Sequence, residues 1–227
     1  MTKDAPTITA LKPTLKDPTR WSIKVGRKYM GTLPQTEIEE LGLVVGTPWT
    51  DDLASRITHS TSVDKIYRSA TFRLSRRMYA VADLKRKLKM SKHQPTTEIV
   101  DEVIAKLLDK NLLDDEAYGR ALIRDIQLRR PAGPRLLQTK LMQKGLNHKL
   151  IEQLIKETAA DRDDFDAAMS MAKKKVNSLK RLPVQKARQR LYGQLTRRGF
   201  EYDTVSQVME NLDWDNWAEG DEVDPWE

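Results

Sequence analysis

The chain has no cysteine among its 227 residues, which excludes a disulfide framework, thiol catalysis and cysteine-ligated zinc. Aromatic residues are scarce, at 6% of the total. No apolar run approaches the roughly 18 residues that would cross a membrane, and the polar N-terminus has no apolar stretch of signal-peptide length. There is no Gly-rich phosphate loop of the GxxxxGK type, so nucleotide hydrolysis is not expected. The three histidines, His59, His93 and His148, are scattered without an HExxH pattern and read as surface or helix-end residues rather than metal ligands. These absences together point to a soluble cytoplasmic protein with no catalytic residue, no metal and no cofactor.

What the chain does have is charge of one sign in one region. Lys and Arg number 40 against 33 Asp and Glu, a net charge of +7. From Asp213 to the end, however, seven acids occur with no Lys or Arg, so removing that segment leaves Met1 to Leu212 at +14. A body this basic suits a polyanionic partner. The acidic end, with Trp214, Trp217 and Trp226, resists packing by composition; it is expected either to fold over the basic surface as a weak DNA mimic, to dock on a partner, or to act as a solubilising tail.

Taken in order, residues 1–16 are polar and expected to be mobile, although Ile8 to Leu11 offers a strand. Trp21, Ile23 and Val25 alternate with polar residues, Gly26 to Lys28 supply a turn, and Tyr29 to Leu33 return as a hairpin. Pro34 to Leu41 reads as a short helix closed by Gly42, and Thr50 with Asp51 and Asp52 starts another. Residues 17–61 therefore form a small α+β cap. From Ser62 the pattern is helical throughout. The first stripe is Val63, Ile66, Ala70 and Leu74; the second is Val81, Leu84 and Leu88; the third, opened by Pro95 and Thr96, runs from Ile99 to Leu108.

An internal repeat then emerges. In the stretch from Leu112 to Leu146, Asp114 is an N-cap followed by acids at the positive end of the helix dipole. Tyr118, Ala121, Leu122 and Ile126 make its buried face. Pro131, Gly133 and Pro134 break the helix and start the next, which ends at Gly145 as a left-handed cap. The series Leu137, Leu141, Gly145, Leu146, Ile151 recurs as Leu191, Leu195, Gly199, Phe200, Val205, every member offset by 54 residues. The first unit offers Leu84 and Leu88 but has Lys92 and His93 where the glycine pair belongs, so its second helix must end differently. The fold class expected is mostly α: an elongated array of three tandem three-helix repeats (62–111, 112–160 and 161–212) behind the cap, followed by the tail at 213–227.

At these residues the sequence resembles the RecX family, regulators of the bacterial recombinase RecA. The resemblance rests on LLDDEAY and QTKLMQKGL in the middle unit, ADLKRKL in the first, QLTRRGF in the third, and GRKYMGTLPQTEIEELGLVVG in the leading segment. It implies a non-enzymatic protein that binds the RecA filament on DNA, lies along its groove, and restrains strand exchange, ATP turnover and coprotease activity. The Lys92–His93 pair and the acidic tail depart from the family pattern.

The residues expected to contact partner or DNA are basic and recur once per unit. Between Asp166 and Glu201 there is no acid; there Lys174, Arg181, Lys186, Arg190 and Arg197 lie opposite the core stripes Phe165, Met169, Ala172, Val176, Leu179 and Val184, Ala187, Leu191, Leu195. Arg86 and Lys89 come from the first unit, and Arg129, Arg130, Arg135, Lys140 and Lys144 from the middle one. Such a strip could meet DNA phosphates, acidic patches on recombinase subunits, or only solvent. Aromatics look too sparse, and too little interleaved with the basic residues, for base stacking on single strands. Asp161, Asp163, Asp164 and Asp166 could hold a cation, but they also stand where a helix start favours acids. The partners expected are the RecA filament and DNA, not a membrane, with the protein acting as a monomer. The competing reading is a stand-alone duplex-binding protein using paired helices as base readers; a nuclease or other enzyme lacks any paired-acid constellation.

Overall fold

The computed structural model describes residues 6–160, 163–214 and 217. Among these, a three-stranded antiparallel sheet in the order β1-β2-β3 precedes ten helices. The chain divides into two compact units: Met1–Tyr79 with Asp83–Leu113, and Ala80–Ala82 with Asp114–Glu227.

In the first unit, β1 (Ile8–Pro13), β2 (Arg20–Val25) and β3 (Lys28–Pro34) pair in register, with Leu11 opposite Ile23 and Trp21 opposite Leu33. The strand offered by Ile8 to Leu11 is thus formed, and the mobile leader expected over 1–16 ends no later than β1; residues 1–5 lie outside the described residues. Helix α1 (Gln35–Glu40) closes at Leu41, and Gly42 takes φ 60°. Ile8, Ile23, Leu33, Ile38, Leu43, Leu53 and Ile57 make one core.

The larger correction concerns α2. A short helix from Thr50 and a fresh one from Ser62 are in fact one 24-residue helix, Asp51–Leu74, about 36 Å long. The Thr50 hydroxyl accepts from the Leu53 N–H at 3.1 Å, an N-cap. The first half of α2 buries Leu53 and Ile57 in the sheet's core, and the second half buries Val63, Ile66 and Ala70. The small sheet therefore shares a helix with the first repeat and needs no independent core. Arg20 on β2 adds a nearly buried ion pair with Asp64 on α2. Helices α3 (Val81–Lys89) and α4 (Thr97–Asp109) follow, burying Leu84, Leu88, Val100, Val103, Ile104 and Leu107. Lys85 on α3 meets Asp101 on α4 at 2.5 Å. In place of the missing glycine, Gln94 turns the chain at φ 42°.

In the second unit, α5 (Asp115–Arg129) is capped by Asp114, whose carboxylate accepts from the N–H groups of Glu116 and Ala117 at 2.9 Å each. Its buried face centres on Tyr118, Gly119 and Ile123, with Ala121, Leu122 and Ile126 only half-buried; Ile123 was absent from the expected stripe. Helix α6 (Pro134–Lys144) starts with proline in its first turn and ends at Gly145 with φ 84°, followed by α7 (His148–Ala160). The third repeat comprises α8 (Asp164–Leu179), α9 (Val184–Arg197) and α10 (Tyr202–Glu210). The 54-residue register holds in three dimensions: Leu137, Leu141, Leu146 and Ile151 are buried in one cluster, and Leu191, Leu195, Phe200 and Val205 in the other.

Asp163 caps α8, accepting from the Phe165 N–H at 2.7 Å, with Asp164 and Asp166 in the first turn. The acids there serve the helix start; Asp161 lies outside the described residues. The tail also needs correcting. The Trp214 and Trp217 rings lie 5.2 Å apart and pack on the third-repeat core. Trp217 donates to the Leu182 carbonyl at 2.9 Å and Trp214 to that of Met209 at 2.7 Å. Two tryptophans bury enough ring surface against the repeat to overcome the polarity of their neighbours; Trp226 lies outside the described residues.

Candidate functional site

Within the second unit, the second and third repeats meet at a joint made largely of backbone. The Gly133 N–H donates to the Arg198 carbonyl at 2.9 Å, and the Arg135 N–H to that of Gly199 at 3.1 Å. Gly199, at φ 82°, lies so close to Leu136 that a Cβ would collide with its backbone, and a Cβ on Gly133 would collide with Gly199 itself. Arg135 then pairs across the joint with Glu201 at 2.6 Å. The loop from Arg130 to Gly133 is thereby pressed onto the end of α9.

Beside this joint opens a cleft of about 580 Å³ lined by six cations: Arg129, Arg130, Lys174, Lys175, Arg197 and Arg198. Pro131, Ser170, Met171 and Gln194 complete the lining, which contains no carboxylate among the described residues. Arg198 is the unusual member. Its Nε donates to the Pro131 carbonyl at 2.7 Å and its Nη2 to that of Arg130 at 2.6 Å, so neutral dipoles hold a partly buried guanidinium. Burial, and secondarily the charge of Arg130, lowers its pKa from the usual arginine value. A cation kept in this way is under-compensated, and an incoming anion relieves it. Arg129 meets Asp125 at 3.2 Å on the exposed side of α5, a contact worth little in water.

Four of the cations expected from sequence, Arg129, Arg130, Lys174 and Arg197, are thus gathered at one place, with Lys175 and Arg198 beside them. Lys186 and Arg190 share the exposed face of α9 with Arg197 and extend the basic surface by up to about 16 Å along the helix. Arg181 is exposed in the turn after α8, and Lys140 is exposed on α6, whereas Lys144 is half-buried at its end. Arg135 is tied to Glu201 and Arg86 to Asp83 at 2.6 Å each, so both are already partnered. Arg86 and Lys89 belong to the other unit.

The premise that aromatics are not interleaved with basic residues fails locally. Between Asp64 and Asp83 the chain carries Lys65, Arg68, Arg73, Arg76 and Arg77, interleaved with Tyr67, Phe72 and Tyr79 and with no acid. The Arg76 guanidinium lies 4.5 Å over the Phe72 ring and that of Arg77 4.2 Å over Tyr79. Counting aromatics over the whole chain hides this cluster; the acid-free interval is the signal that reveals it.

A joint of stacked three-helix units with a cationic cleft at their seam defines a tandem helical-repeat protein. Comparison with known proteins refines the class. The model described as "RecX, second three-helix domain" matches residues 114–155, and "RecX, third three-helix domain" matches 162–209. The chain is 25% identical over 197 residues to regulatory protein RecX of Leuconostoc mesenteroides, covering 87% of this chain and 73% of that one. For Bacillus subtilis the figures are 25% over 211 residues, 93% and 79%; for Streptococcus uberis, 32% over 124 residues, 54% and 46%. A crystal structure of regulatory protein RecX superposes with a TM-score of 0.77 at 22% identity, covering 90% of this chain and 99% of that one. That of RecX from Lactobacillus salivarius gives 0.59, over 67% and 97%. The two RecX domain models, with RecX relatives that cover most of the chain, support a RecX family protein. Among the described residues, no helix is long and apolar enough to cross a membrane.

Proposed function

We propose that this protein binds the RecA filament on DNA and restrains strand exchange, ATP turnover and coprotease activity, with no chemical step of its own. The cationic cleft would be its anchor on the DNA phosphates. The single observation that carries this reading is the convergence of six cations, one of them partly desolvated and held only by carbonyls, around a cleft with no lining carboxylate. Neutralising phosphates there releases condensed counterions, so affinity must fall steeply with salt. Similarity to regulatory proteins, together with the resemblance that names the recombinase, supports the choice of partner. The exposed faces carry charge more than amides, which favours backbone contact over the base reading that a stand-alone duplex binder requires.

The test is strand exchange by the recombinase with substoichiometric amounts of this protein. Inhibition by wild type, lost when Arg130, Lys174 and Arg197 are all replaced by Ala, is the expected result. No inhibition, with tight sequence-specific binding to naked duplex, would instead establish the stand-alone DNA-binding reading.

A further inference from the structure

The C-terminal end of α2 carries a surface that the cleft does not use. Its helix buries Val63, Ile66 and Ala70, yet Phe72 is 60% exposed. The ring is not left to chance: the Arg76 guanidinium stacks over it at 4.5 Å, a geometry that fixes the ring while leaving most of it in water. Seven residues on, Tyr79 is buried and serves as a fastening. Burial would push its phenol up, but hydrogen bonds and charge from Arg77 and Arg73 outweigh that and hold it below its usual value. Arg73 and Arg77 are thereby fastened to Tyr79, in the same segment as the exposed ring. Five cations and no acid occur between Asp64 and Asp83, and Arg76 has no ion pair among the described residues.

A flat exposed ring that carries one guanidinium, with two more held in the same acid-free segment, combines two recognitions. The ring offers a face to a nucleobase, whatever its identity, because every base has a π-face; the guanidiniums offer charge to the phosphates on either side. A duplex keeps its bases stacked on one another and cannot use the ring. We propose that the end of α2 is a stacking site for a single strand of nucleic acid, with Phe72 as the platform for one base and Arg73, Arg76 and Arg77 as its phosphate contacts. The site lies in the first unit and is independent of the cleft in the second. An acidic protein surface is the competing occupant, disfavoured because charge complementarity alone gives the exposed ring no role.

The experiment uses the full chain and two fluorescent strands of equal length, oligo(dT) and an abasic strand with the same phosphates, read by anisotropy. Wild type should bind oligo(dT) about tenfold more tightly than the abasic strand, the scale of one stacked base. Phe72→Ala should bind the two alike while keeping wild-type affinity for the abasic strand, and Phe72→Trp should retain the preference. Because Phe72 is exposed, the melting temperatures of these variants should match wild type. Replacing Arg130, Lys174 and Arg197 by Ala should weaken both strands and leave their ratio unchanged, so failure of the cleft is separable from failure of the stacking site. An unchanged preference in Phe72→Ala, or none in wild type, overturns the proposal. Loss of filament inhibition in Phe72→Ala with the strand preference intact would assign the ring to a protein partner and overturn it equally.

Discussion

Gly145 and Gly199 stand at the same place in the second and third repeats, 54 residues apart, and adopt nearly the same backbone, φ 84° and 82°. Their surroundings differ. A Cβ on Gly145 would meet the Cβ of Ala82 at 2.5 Å and its Cα only at 3.9 Å, whereas one on Gly199 would strike the backbone of Leu136. One glycine ends a helix; the other ends a helix and forms the joint beside which the cleft opens. Repetition specifies each three-helix unit, and the proposed anchor gathers at the seam, which is where the repetition stops.

The shared part of this comparison is sharpened by the leucines. Leu141→Ala and Leu195→Ala remove side chains with no exposed surface, so each should cost about 2–5 kcal/mol in urea unfolding, and the two costs should agree within about 1 kcal/mol. The differing part is broken by the glycines. Gly199→Ala combines left-handed strain with a backbone collision and should cost about 3 kcal/mol. Gly145→Ala should cost about 2 kcal/mol, because its close contact is one methyl rather than several backbone atoms. Only the Gly199 variant should also lose affinity for polyanions. Helix caps form the next rung: Asp114→Ala frees two N–H groups and should cost about 1 kcal/mol by thermal unfolding.

The smallest effect lies in the first unit. Burial would push the Glu102 carboxyl up, but Lys106 at 2.9 Å and His59 at 2.7 Å outweigh it and hold its pKa below the usual carboxylate value. A lowered carboxylate pKa stabilises the fold above the unfolded value and loses that contribution as pH falls through the folded one. Glu102→Gln should therefore lower the melting temperature slightly at pH 7 and become indistinguishable from wild type on acidification below the ordinary carboxylate range. A gap that widened on acidification would reverse the sign.

What was legible in the sequence followed from local rules. Leucines four apart with a glycine four further on fix both a buried stripe and a left-handed cap, and Asp114 and Asp163 declare helix starts. The continuity of α2 was hidden because Thr58 to Ser62, a run of polar and β-branched residues, is weakly helical. It stays helical because flanking residues bury on both sides, while the Thr58 and Ser62 hydroxyls are satisfied on the carbonyls of Ala54 and Thr58 at 2.8 and 2.9 Å. The cleft was only half legible. Helical periodicity turns Lys174 and Arg197 outward, but nothing local brings Arg129 and Arg130 to them across more than forty residues, nor marks Arg198 as the partly buried cation. The Phe72 cluster was missed for a different reason: a composition average dilutes three aromatics concentrated in one acid-free interval.

The most direct test of the seam as the functional anchor is a salt titration of DNA affinity with two charge-matched variants. One is Arg130→Ala, Lys174→Ala, Arg197→Ala in the cleft; the other is Arg124→Ala, Lys149→Ala, Lys156→Ala, exposed cations of the same unit that do not line it. The account predicts that the slope of log affinity against log salt falls by about 2–3 for the cleft variant and by less than about 1 for the other. Equal slopes would mean that the basic surface acts only through its total charge, and the cleft would lose its role.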